Sequence, residues 1–248
     1  MSVHPAAIIE DGVQLGAGCT VHAYAVIKRH TVLGDGVTVH AFAVVGGDPQ
    51  YLKFDPATAS GVRVGADTVI REHVTINRSI HAGQATVVGA RCFLMAGAHV
   101  GHDSVVADDV VLANNVMLGG HVEVGAFTFV GGGTGVHQYV RLGEGVMVGG
   151  LGRVTKDVAP FLLVAERDEV PGFNVVGLRR RGFSRDVIRE LKDCYHAVFA
   201  PGDLRAHAAA RLAAGVTAAE ARRFLEFFAA GKRSFARPRH AADPSHEA

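Results

Sequence analysis

The chain has 248 residues, 48% of them apolar and 20% charged, enough to bury the core of one large domain or of one and a half average ones. A net charge of +1 argues against a general nucleic-acid binder, and no stretch reaches the ~18 uninterrupted apolar residues of a membrane span. Cys19, Cys92 and Cys194 are few and scattered, which suggests reduced thiols in a cytoplasmic protein, and the opening MSVHPAAIIEDG has neither the basic region nor the apolar run of a signal peptide.

From the N-terminus an aliphatic residue recurs every sixth position: Val3, Ile9, Leu15, Val21, Ile27, Leu33, Val39, Val45. The phase breaks and resumes at Val64, Ile70 and Ile76. Ala82 is a weak member, and an unbroken series then runs from Val88 through Val154. A period of six suits neither a helix nor an alternating strand; it suits a parallel β-helix in which each hexapeptide makes one short strand and one corner. Three hexads make a triangular coil whose aliphatic residues stack inward. Glycine often follows the aliphatic residue, and the expected reason is the positive φ of tight corners.

The phase break at 46–63, GGDPQYLKFDPATASGVR, is polar, holds two prolines and must leave the prism as a long loop, a kind that is often functional. Counting in eighteens, Val64 falls on the face of the hexads starting at Val100, Leu118 and Val136. A smaller excursion is expected within 77–86. The prism therefore occupies residues 1–163, and residues 164–248 form a linker and a C-terminal helical domain. After an extended stretch, SRDVIRELKDCYHAVF carries Ile188, Leu191, Tyr195 and Val198 at helical spacing, with Ser184 as N-cap. A second helix ends at Gly215. A third opens with a capping box from Thr217 to Glu220, and the tail from Lys232 onward reads as frayed. The fold class is mainly β.

Hexads starting at 100, 118 and 136 stack on one face, ~4.8 Å apart, so His102, His121 and His137 line one strip with His99 beside it. Two chemistries suit such a strip. Imidazoles bind zinc, as in the γ-class carbonic anhydrases, but the His-x4-His pair of that class is absent here. Alternatively one histidine serves as a general base oriented by a carboxylate, and Asp103 directly follows His102.

The segments AGAHVGHD, LANNVMLGGHVEVG, GGGTGVHQY, VMVGG and NVVGLRRRGFSRDVI together resemble the UDP-N-acetylglucosamine O-acyltransferases of lipid A synthesis, over nearly the whole chain. The resemblance implies a left-handed coil and a homotrimer. It also implies transfer of a 3-hydroxyacyl chain from acyl carrier protein to the sugar 3-position of a UDP-sugar acceptor, with no cofactor and no metal. Residue by residue, it implies His102 as base, Asp103 as its orienter, and the Gly120 N–H as oxyanion donor. It further implies Gln50, Lys53, His99, His121, His137 and Gln138 as substrate-binding groups, Asn174, Arg180 and Arg181 as holders of the UDP part, and Gly150 as the residue that sets acyl length. Tyr51, Val176 and Ser79 depart from the usual pattern, which keeps open N-acylation of a 3-amino acceptor.

Overall fold

The computed structural model describes residues 1–238. Within them, strands of mostly two residues alternate with four-residue corners, and the chain winds through three sheets of ten, eight and seven strands, parallel but for the last pair of the first. The first face begins at Ser2–Val3, the second at Ile8–Ile9 and the third at Gln14–Leu15. Register repeats every 18 residues, as Val3 opposite Val21 and Leu94 opposite Leu112 show.

The six-residue period is the core. Every aliphatic member from Val21 to Val154, Ala82 excepted, is at most 3% exposed. Val3 at the open end is 39% exposed because no coil covers it. Each coil contacts its neighbours along the stack, so stability accumulates coil by coil.

The glycines following the aliphatics serve close approach more than positive φ. At the corner from the third face to the first, a Cβ on Gly16, Gly65, Gly89 or Gly125 would lie 2.5 Å from atoms of the next coil. The positive-φ position is the fourth of each hexad, and side-chain-bearing residues such as Tyr24, Asp103, His121 and Tyr139 fill it more often than glycine does. The regular stack enforces that conformation at every corner and offsets its cost of roughly 1–2 kcal/mol.

Both excursions leave from the corner between the second and third faces. The long one runs from the strand Val44–Gly47 to the strand Gly61–Val64, and the short one from Thr75–Asn77 to Ala85–Val88. Val64 pairs with Val88, 24 residues on, so the short excursion adds six residues to its coil. Val64 therefore lies on the third face, not on the face of Val100. Ala82 is exposed within the excursion and is not a core member.

The prism ends in a hairpin of Leu162–Ala165 with Glu169–Phe173, which caps the first face; the expected division at 163/164 falls inside its first strand. The stretch read as an extended linker contains a short helix, α1 (Val175–Arg180), capped by Asn174 Oδ1 accepting from the Gly177 N–H. α2 (Arg185–Val198), capped by Ser184, α3 (Leu204–Ala213) and α4 (Ala219–Glu226) then pack together. The capping box at Thr217 does not form. Instead Glu190 of α2 accepts from the Thr217 and Ala218 N–H groups at 2.7 and 2.8 Å. The tail is docked where described: Phe235 and Ala236 are buried, and Asp157 donates its N–H to Ser234 O. The rest of the tail, from 239, lies outside the described residues.

Candidate active site

The strip expected from the period forms at the corner between the second and third faces. His99 opens a strand of the second face between Thr75 and Met117. His102 and His121 follow on successive coils, their rings edge-on with centroids 5.1 Å apart, and Tyr139 stacks on His121 at 4.5 Å.

His102 Nδ1 lies 2.8 Å from Asp103 Oδ2. An ionised carboxylate only accepts, so Nδ1 carries the proton and Nε2 is left free as a base. Asp103 is itself held: Ser79 Oγ donates to Oδ1, and the Ile80 N–H donates to Oδ2 at 3.0 Å. The Asp103 N–H donates to Thr86 Oγ1 at 2.8 Å, which fixes the corner. Burial pushes the Asp103 carboxyl up, but hydrogen bonds from Ser79, Ile80 and His102 outweigh it and hold the group below its ordinary value. Burial lowers His99 and His121, assisted in each case by the neighbouring His102. Both are neutral near pH 7.

His102 opens onto a groove of about 550 Å³ along the second face, lined also by His99, Met117, Gly135, His137 and Arg153. Gly120 forms part of its wall, and its N–H has no acceptor among the described residues. Gln50 reaches the groove from the long loop, and Gln138 lines it beside His137. Tyr51 brings its ring to 6.5 Å from that of His102. Lys53 is exposed on the same loop and does not line the groove.

The structure does not gather every expected residue there. Asn174 and Arg181 sit at the corner between the third and first faces. Asn174 Nδ2 donates to Gly145 O at 3.3 Å, and Arg181 pairs with Glu144 and stacks over Phe127 at 4.2 Å. Arg180 is exposed on α1. Gly150 lies at the corner between the first and second faces beneath Gly132 and does not line the groove.

Residues that the sequence reading left without a role complete the site. Arg78, 4% exposed, reaches out of the short excursion to clamp the long loop: it donates to Asp48 Oδ1 at 2.9 Å, Thr58 O at 2.5 Å and Pro56 O at 2.8 Å, and lies over the Phe54 ring. Ser79, read only as a departure from a pattern, supplies a hydroxyl to Asp103 that a glycine lacks.

Residues 157–236 match the family described as UDP N-acetylglucosamine O-acyltransferase, domain 2, and 12–47 and 85–120 match the bacterial transferase hexapeptide repeats. A curated acyl-[acyl-carrier-protein]–UDP-N-acetylglucosamine O-acyltransferase from Campylobacter jejuni subsp. doylei is 42% identical over 226 residues, 83% of this chain and 86% of that protein. The chain belongs to this acyltransferase family. A Synechocystis relative of the same name is 36% identical over 156 residues, 62% of this chain, and the matched part spans 56% of that relative. The solved UDP-N-acetylglucosamine acyltransferase fold agrees over its length: the LpxA structure from Acinetobacter baumannii superposes with a TM-score of 0.86 at 28% identity, covering 95% of this chain and 97% of that one. The β-helix of this acyltransferase is thus the left-handed hexapeptide prism with a small helical C-terminal part. Among the described residues no helix is long and apolar enough to cross a membrane.

Proposed function

We propose that this chain transfers a 3-hydroxyacyl group from acyl carrier protein to the 3-hydroxyl of UDP-N-acetylglucosamine in the cytoplasm, the first step of lipid A synthesis. The observation that carries the mechanism is the His102–Asp103 pair, its free Nε2 facing a groove walled by Gly120. His102 Nε2 takes the proton of the sugar hydroxyl, and Asp103 stabilises the imidazolium. The hydroxyl oxygen attacks the thioester carbonyl, whose oxyanion receives the Gly120 N–H, a contact of this type being worth ~3–4 kcal/mol in the transition state. Collapse expels the carrier thiolate, which takes the proton back from His102. His99, His121, His137, Gln138 and Gln50 position the acceptor; neutral His99 and His121 are the forms suited to hydrogen-bonding it.

Asn174, Arg180 and Arg181 lie at a different corner of the prism from His102, so contacts from them to the UDP part come from a neighbouring copy. A closed homotrimer supplies that arrangement. The comparisons favour acyl transfer over the hydro-lyase alternative, and O-acylation over transfer to an amine.

The test is purified chain with 3-hydroxyacyl carrier protein and UDP-N-acetylglucosamine, the product read by mass spectrometry. Acylated sugar nucleotide should form, and His102→Ala should lose about 10²–10⁴-fold in turnover. A His102→Ala variant retaining more than roughly a tenth of the rate removes the assignment. Mixed with an inactive Arg181 variant, it should regain activity only if the site is shared between copies.

A further inference from the structure

The short excursion does more than support Asp103. Ser79 Oγ also accepts from the His81 N–H at 2.9 Å, and this tight turn brings the His81 side chain back over the histidine strip. Its ring centroid lies 6.2 Å from that of His121. One ligand atom from each of His81, Asp103 and His121 lies within 4.8 Å of the others. Two imidazoles and a carboxylate are a donor set that suits divalent transition metals. A tetrahedral zinc holds its ligand atoms ~3.4 Å apart, so closure needs shifts of about an ångström, which the exposed His81 side chain supplies by rotation. Asp103 has room for the ion: a carboxylate offers about four lone-pair sites, and Ser79, Ile80 and His102 take three of them.

We propose that His81, Asp103 and His121 form a site for a dissociable divalent transition metal of the zinc or cobalt class, and that its occupancy stalls acyl transfer. The acyl-transfer chemistry does not use this ion. An ion there would engage the carboxylate that orients His102 and would tie up His121, one of the proposed acceptor-positioning groups. The effect on turnover rests on the acyl-transfer reading; binding of the metal does not.

The experiment separates the two. Tag-free protein is titrated with cobalt(II) and followed by visible absorption. Wild type should saturate at about one ion per chain with the intense bands of a tetrahedral site, and His81→Ala should bind roughly tenfold or more weakly. His81→Cys should retain binding and add a sulfur-to-cobalt charge-transfer band. In metal-free buffer His81→Ala should turn over at the wild-type rate, while zinc should inhibit wild type at roughly tenfold lower concentration than it inhibits this variant. Absence of a saturable band in wild type, or equal cobalt affinity in His81→Ala, overturns the site. Equal zinc sensitivity with cobalt binding as expected overturns the stalling. Cobalt binding as expected in a protein inactive even when metal-free leaves the metal site standing and removes the acyl-transfer reading.

Discussion

The imidazole of His102 rests on the backbone of Gly120: a Cβ added there would lie 2.6 Å from both Cε1 and Nε2 of the ring. The proposed base and the proposed donor for the oxyanion are thereby set against each other across adjacent coils. Gly120→Ala should push the ring off its bond to Asp103 and lower turnover by roughly 10²-fold or more. Melting should change little, because the displaced group is a side chain at the edge of the groove. Turnover above about a tenth of wild type would mean that the contact positions nothing.

Asp103 makes stability pH-dependent in a definite direction. Its carboxyl titrates below the usual value, so the fold prefers the ionised form. That preference contributes fully above about pH 4, the ordinary aspartate value, and fades as pH falls through the lowered value. His99 and His121 act in the same sense at a higher pH: burial lowers both, so their contribution is full above about pH 6.5 and fades below it. Melting temperature measured from pH 8 to pH 3 should fall in both windows. The gap between wild type and Asp103→Asn should narrow below pH 4; a gap that widens there contradicts the hydrogen-bond account.

Arg78 is expected to control the long loop without touching the reaction. Arg78→Ala removes the donors that hold Asp48, Pro56 and Thr58. Limited proteolysis between residues 48 and 60 should accelerate, and KM for the sugar nucleotide should rise about tenfold, on the loss of one or two charge-assisted hydrogen bonds. Unchanged proteolysis would show that the loop is held by something else.

Gly150 lies outside the groove of its own chain, so a role in acyl length needs the neighbouring copy. Gly150→Met should then shift preference to a donor about four carbons shorter, each excluded methylene forfeiting ~0.8 kcal/mol of burial. Gly135→Met places the same side chain inside the groove beside Met117 and should depress turnover with long and short donors alike. Competition between carrier-bound donors, read by mass spectrometry, distinguishes them. A Gly150→Met enzyme that still selects the long chain removes the ruler.

The prism was legible because one chemical requirement, an inward aliphatic, repeats at a fixed interval from Val3 to Val154. The histidine strip followed from the same arithmetic. What stayed hidden depends on distances that the period does not encode. The six residues added by the short excursion moved Val64 to another face. α1 is too short to show a helical period, so the cap that Asn174 supplies to it carried no signal. The Thr217 capping box lost to Glu190, which lies 27 residues earlier and reaches it only through the packing of α2 against α4. His81 and Arg78 carried no signal beyond being polar in a loop.

The placement of both excursions at one edge of the prism has a consequence for how such a protein changes over generations. A length change elsewhere along the coil would throw every later aliphatic residue out of phase. At this edge the chain leaves the stack after Gly47 and Asn77 and rejoins it in step at Gly61 and Ala85, so residues can be gained or lost there with the core untouched. His102 and His121 stand on that same edge. The loop-borne residues Tyr51, Ser79 and His81 can therefore change while His102 and its stacked coils stay fixed: innovation and rigidity are divided between two sides of a single corner.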